Sequence, residues 1–126
     1  MGLLSGMMGH ASEVSIEKIT KKFQPILLEN EHIEKAFRLI RDMLVFTNKR
    51  LILVNKQGVT GSKTDYQSVP YGSIKMFSKE SAGIADLDAE LKIWLTGETE
   101  PTIRQDFKKG DNINEAYRVL SKYVLQ

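Results

Sequence analysis

Between Asp86 and Thr96 every second residue is apolar, without an exception. Leu87, Ala89, Leu91, Ile93 and Leu95 share one parity, while Asp86, Asp88, Glu90, Lys92, Trp94 and Thr96 hold the other. Successive side chains of a strand point to opposite faces, so this pattern puts five apolar groups on one side of a sheet. A helix would scatter the same residues around its circumference. A half-buried strand needs partners beside it, and the apolar face they share needs a covering layer.

The rest of the chain provides partners and cover. From His32, Ile33, Phe37 and Leu39 share a parity with Lys35 as the exception, and Arg41-Asp42 breaks the run before Met43–Thr47. Asn48-Lys49 reads as a hairpin connection into Leu51–Val54, whose nearly continuous apolar character predicts cover on both faces. Gly58 and Gly61 mark a loop before a more polar strand from Lys63 to Val69, and Pro70 must lie at a strand end or an edge. Ile74–Ser78 is a further strand. Gly97–Pro101 is a turn, and Ile103, Gln105 and Phe107 form the last strand.

Beyond Lys108 the period changes from two to 3.6. Ile113, Ala116, Tyr117, Leu120 and Val124 make one apolar stripe, with Asn112 as the expected N-cap and Glu115 its capping partner. This helix, about 112–125, is expected to plug one open end of the sheet. A shorter helix, about 12–24, is predicted from Ile16, Ile19 and Phe23, with Ser12 or Ser15 as cap and Pro25 ending it. Residues 1–11 read as a leader. About seven short antiparallel strands followed by one terminal helix define an α+β domain, its sheet curling toward a partly open barrel.

At 126 residues the chain has room for one core. It has no cysteine, so disulfides, thiol catalysis and thiolate metal sites are excluded, and a cytoplasmic setting is the expected default for a chain without a legible targeting signal. Eighteen basic against sixteen acidic residues leave +2, too small an excess for nucleic-acid binding. No apolar run approaches the roughly 20 residues needed to cross a bilayer. The leader, Met1–Met8, is apolar but lacks the preceding positive charge of a signal peptide, and Gly6 stands where a myristoylation signal has Ser or Thr.

Several blocks carry a resemblance. Asp42–Val54 (DMLVFTNKRLILV), Gln57–Lys63 (QGVTGSK), Ser68–Tyr71 (SVPY), Ser81-Ala-Gly83 and Asp86–Leu95 (DLDAELKIWL) are similar to the bacterial pleckstrin-homology (PH) domain family. The resemblance runs from about Ile26 to the C-terminus. It implies two near-orthogonal sheets capped by a C-terminal helix, and assembly into ring-like homo-oligomers. Eukaryotic PH domains hold inositol phosphates with basic residues at the loop between their first two strands. Here that connection is only Arg41-Asp42, which carries its own counter-charge.

Candidate sites are few. Asp86, Asp88 and Glu90 put three carboxylates on one strand face, where pairing with Lys75 or Lys79 is favoured over a metal. Trp94 lies on the polar parity of a strand whose other parity already supplies core. It is therefore either an intersubunit anchor, with Lys92 and Glu90 beside it, or is covered by the N-terminal helix or leader. Lys49, Arg50, Lys56 and Lys63 are the candidate contacts for an anionic ligand. His10 and His32 have no catalytic partners legible around them, and Gly58-x-x-Gly61 lacks the Lys and hydroxyl of a P-loop.

The expectation is a non-catalytic module without cofactor or metal, which self-assembles and offers a polar surface to another protein or ligand. The alternative is peripheral attachment to a membrane or anionic headgroup through the four basic residues and the leader.

Overall fold

The computed structural model describes residues 12–39, 42–58, 62–81, 88–108 and 110–126. In chain order they form β1 (Ser12–Glu13), α1 (Ile16–Phe23), a 3-10 turn (Gln24–Ile26), β2 (Ile33–Arg38), β3 (Met43–Thr47), β4 (Arg50–Gln57) and β5 (Lys63–Pro70). A second 3-10 turn (Tyr71–Ser73), β6 (Ile74–Ser81), β7 (Asp88–Leu95), β8 (Ile103–Lys108) and α2 (Gly110–Val124) follow. Sequence neighbours are spatial neighbours: one sheet runs β1-β2-β3-β4-β5 and the other β6-β7-β8, with every pairing antiparallel. Among the described residues no strand pairing joins the sheets, so the curl stops short of a closed barrel.

Two apolar clusters hold the layers together. The larger lies between the sheets and under α2, and includes Phe37, Phe46, Leu51, Leu91, Ile93, Phe107, Ile113 and Leu120. Phe37 meets Phe46 and Phe107 edge-on, with ring centroids 6.0 and 5.1 Å away. The smaller lies on the outer face of the first sheet, where Ile19 and Phe23 of α1 cover Ile33, Ala36, Met43, Val45, Ile52 and Val54. All five residues of β3 are consequently buried. The double cover expected for Leu51–Val54 is present too, with Leu51 facing one cluster and Ile52 and Val54 the other. The alternation at the second sheet holds from Ala89 onward: Ala89, Leu91 and Ile93 are buried and Leu95 packs against them, while Leu87 lies outside the described residues.

Three local readings change. The pairing of β2 with β3 shifts between Ile33 and Lys35. That bulge inverts the parity, so Ile33 faces α1 while Phe37 faces the interior. The N-terminal α-helix is shorter than expected. Ser12 is in β1, Ser15 is the N-cap without a side-chain capping bond, and Pro25 sits in the 3-10 turn that continues the helix to Ile26. The terminal helix begins at Gly110, ahead of Asn112, and Glu115 lies 3.8 Å from Lys35 Nζ.

Candidate functional site

With Leu91 and Ile93 turned inward, Glu90, Lys92 and Trp94 share the outer face of the second sheet. Register places Met76 of β6 opposite Trp94, Ser78 opposite Lys92, and Arg104 of β8 on the other flank of Lys92. Met76 is 46% exposed, Trp94 is half-buried, and neither belongs to a core cluster. They form one apolar island.

Around it runs a ladder of alternating charge. Lys92 Nζ is 2.7 Å from Glu80 and 4.0 Å from Glu90, Arg104 is 3.8 Å from Glu90, and it also reaches Glu100 at 3.9 Å. The Lys92 hydrogen bond holds Glu80 below the usual carboxylate range. Glu90 therefore finds its cations on its own strand and on β8, not at Lys75 or Lys79, and Lys79 donates instead to Asn114. Asp86 lies outside the described residues. The N-terminal helix packs on the first sheet and not over Trp94, and the leader, the other cover expected for it, lies outside the described residues.

The four basic candidates do not converge. Arg50 stands opposite Pro70 at one end of the β4–β5 pairing, and Gln57 stands opposite Lys63 at the other. At about 3.3 Å per residue, Lys49 and Arg50 lie roughly 20 Å from Lys56 and Lys63. Lys56 and Lys63 are exposed, and the Lys56 backbone N–H donates to Asp42.

Arg50 is committed inside the protein. It donates to both oxygens of Glu31 (2.8 and 2.9 Å), to the Ile26 carbonyl (2.7 Å) and to Ser68 (2.9 Å). The Glu31 side chain has 0% exposure. Burial by itself would raise its pKa. Hydrogen bonds from Arg50, Thr47 and the Leu28 backbone N–H, with the charge of Arg50, prevail and hold it at about 2. Arg50 thus locks the segment after α1 to the β3–β4 hairpin instead of offering its charge to a ligand. No periodicity marks Glu31, and only its pairing across nineteen residues makes its burial tolerable.

The same end of the molecule receives the C-terminus of α2. Tyr71 donates to the Thr47 carbonyl (2.6 Å) and stacks on Tyr123, with centroids 5.1 Å apart. Tyr123 in turn donates to Glu34 (2.6 Å), whose same oxygen is 3.1 Å from His32 Nε2 and 3.9 Å from Lys122. Burial raises the pKa of Tyr71, and burial followed by the Glu34 bond raises that of Tyr123, while the Tyr123 hydroxyl lowers Glu34. His32 is thus a rim residue with a carboxylate partner, and His10 lies outside the described residues.

Between the sheets an open cleft of about 300 Å³ is lined by Leu39, Asp42, Leu53, Asn55, Gln67 and Arg104. A second of about 270 Å³ adjoins it along Leu53, Gln67 and Thr102. Among the described residues no group of three His, Asp or Glu could hold a metal ion, and no helix is long and apolar enough to cross a membrane.

Known proteins are similar to this chain in sequence and in structure. The Bacillus subtilis protein YjqA, itself uncharacterised, is 50% identical over 121 residues, covering 96% of this chain and 97% of YjqA. The crystal structure of a DUF1696 family protein with a pleckstrin-homology domain from Shewanella loihica superposes with a TM-score of 0.82 at 45% identity, over 92% of this chain and 98% of that one. A pleckstrin homology domain from Shewanella amazonensis gives 0.71 at 44% identity, over 98% of each chain. Residues 2–124 match the bacterial PH domain family. With the whole two-sheet, helix-capped domain inside that match, this chain belongs to the bacterial PH domain family.

Proposed function

We propose that the chain is a non-catalytic interaction module that assembles with copies of itself through the outer face of β6-β7-β8. One observation carries this reading: Met76 and Trp94 stand side by side on a sheet face that no element of the described chain covers, framed by charges of both signs. Burial of a tryptophan at the centre of a contact, with a polar rim excluding water, is the arrangement that contributes most to protein association. In a ring the contacts run head to tail, so this face meets a different surface of the next copy. The polar surfaces left open would then meet a further protein or ligand. The lack of cysteine fits a cytoplasmic setting.

Light scattering on the purified protein tests the reading. Wild type should be oligomeric at micromolar concentration, and Trp94→Ala should lower the molar mass while leaving the melting temperature within a few degrees. A wild type that stays monomeric at high concentration would refute self-assembly. If Trp94→Ala unfolds the protein, Trp94 supports the fold and the interface lies elsewhere.

A further inference from the structure

Among the described residues five large hydrophobic side chains are exposed, and three of them gather at one end of the molecule. Ile26 (41% exposed) and Leu28 (58%) sit in the segment after α1. Leu125 (70%) follows the last turn of α2. Hydrogen bonds define this pole. Arg50 holds the Ile26 carbonyl, Glu31 holds the Leu28 backbone N–H, and Asn48 bridges the β3–β4 hairpin to Asn30 and His32. Tyr123, two residues before Leu125, is tied to the same end through Glu34 and Tyr71.

The apolar side chains are therefore exposed on a backbone that hydrogen bonds fix. Lysines flank this segment: Lys21 and Lys22 stand in the last turn of α1 just before it, and Lys49 precedes Arg50, whose guanidinium holds the Ile26 carbonyl. Among the described residues none of these three has an ion-pair partner, while Glu31 is cancelled by Arg50 and Glu34 is shared by Tyr123, His32 and Lys122. Glu29 is the opposing exposed charge in the segment.

From this combination we infer that the pole docks on an anionic lipid bilayer, with Ile26 and Leu28 entering the headgroup boundary and Lys21, Lys22 and Lys49 facing the lipid phosphates. An exposed aliphatic pair flanked by lysines that have no ion-pair partner among the described residues matches an interface that is apolar just beneath a negative surface. A protein groove would have to provide both a pocket and a matching acidic rim. This surface is separate from the Trp94 face and stands without it. It also differs from the expected grouping of Lys49 with Lys56 and Lys63, because those two occupy the opposite end of β4.

Co-sedimentation of the full chain with vesicles of phosphatidylcholine alone, or of phosphatidylcholine with phosphatidylglycerol, tests the inference. Wild type should partition about tenfold better onto the anionic vesicles at low salt, and lose that preference as screening increases. Ile26→Ser/Leu28→Ser should cut the partitioning about tenfold with an unchanged melting temperature, since both side chains face solvent. Lys22→Gln/Lys49→Gln should flatten the salt dependence, and this second variant decides the matter if the first fails to fold. Equal binding to neutral and anionic vesicles, no binding to either, or wild-type binding by both variants would overturn the inference. So would a change in molar mass in Ile26→Ser/Leu28→Ser without any change in vesicle binding, which would give the pole to a second copy of the chain.

Discussion

Glu31 is the residue on which one end of the fold turns. Taking a carboxylate out of water is costly, and Arg50 and Thr47 compensate only because their hydrogen bonds reach both of its oxygens. Removing one partner leaves a buried charge uncompensated. Arg50→Ala is expected to lower stability by about 3–5 kcal/mol in urea unfolding, whereas a Glu31→Gln/Arg50→Met double variant loses less than Arg50→Ala alone. The pair also makes stability depend on pH. The folded-state pKa of Glu31 lies at about 2, below the 4.5 of a free glutamate, so the ionised form is the one that folding favours. Its contribution is therefore complete above about 4.5 and is lost as pH falls toward 2, amounting to at most about 3 kcal/mol. Glu34, also lowered, acts in the same direction. Urea midpoints measured from pH 7 down to pH 3 should fall with acidification, and Glu31→Gln should flatten part of that slope.

Among the elements, α2 is the cover that the inner faces of the strands require. Ile113, Ala116 and Leu120 are almost wholly buried, and Tyr117 meets Phe77 edge-on across to β6 with centroids 5.1 Å apart. Leu120→Ala should cost about 2–5 kcal/mol, because the strands beneath cannot collapse into the space it leaves. Arg118→Ala on the solvent side should stay within about 0.5 kcal/mol. Chemical denaturation of the two variants side by side separates packing from helix propensity, since alanine is favourable in a helix at either position. The stripe of α2 and the alternation of β7 were both legible in the sequence because each repeats its period several times. The parity of β2 was not. One inserted residue between Ile33 and Lys35 flips everything before it, and a single mismatch at Lys35 reads equally well as a solvated exception. The start of α2 escaped for a related reason: Asn112 is a good capping residue, but Gly110 already has helical backbone.

For the molecule as a whole, strand order followed from sequence because every connection within a sheet joins antiparallel neighbours, whereas the candidate sites depended on distances that periodicity does not carry. Trp94 could be placed on an outer face from parity alone. Its neighbour Met76 could not, since the β6–β7 register shifts between Ile74 and Met76. The buried Glu31–Arg50 pair and the exposed pole beside it were equally hidden, being assembled from a loop, a hairpin and the end of α2. The way the two cores are built also bears on unfolding. β3 contributes Leu44 and Phe46 to the interior and Met43 and Val45 to the cluster under α1, and β4 is divided in the same manner. Neither core can be dismantled without exposing strands that the other needs, so the domain should unfold in one step despite having two apolar clusters. Phe23→Ala empties the outer cluster and Phe107→Ala the inner one, each at a cost of about 3–5 kcal/mol. Trp94 reports on the second sheet alone, while far-ultraviolet circular dichroism reports on all the secondary structure. In both variants the two signals should be lost at the same urea concentration. If Phe23→Ala instead shifts the circular dichroism midpoint and leaves Trp94 fluorescence at its wild-type midpoint, the outer layer melts independently and the shared strands do not couple the cores.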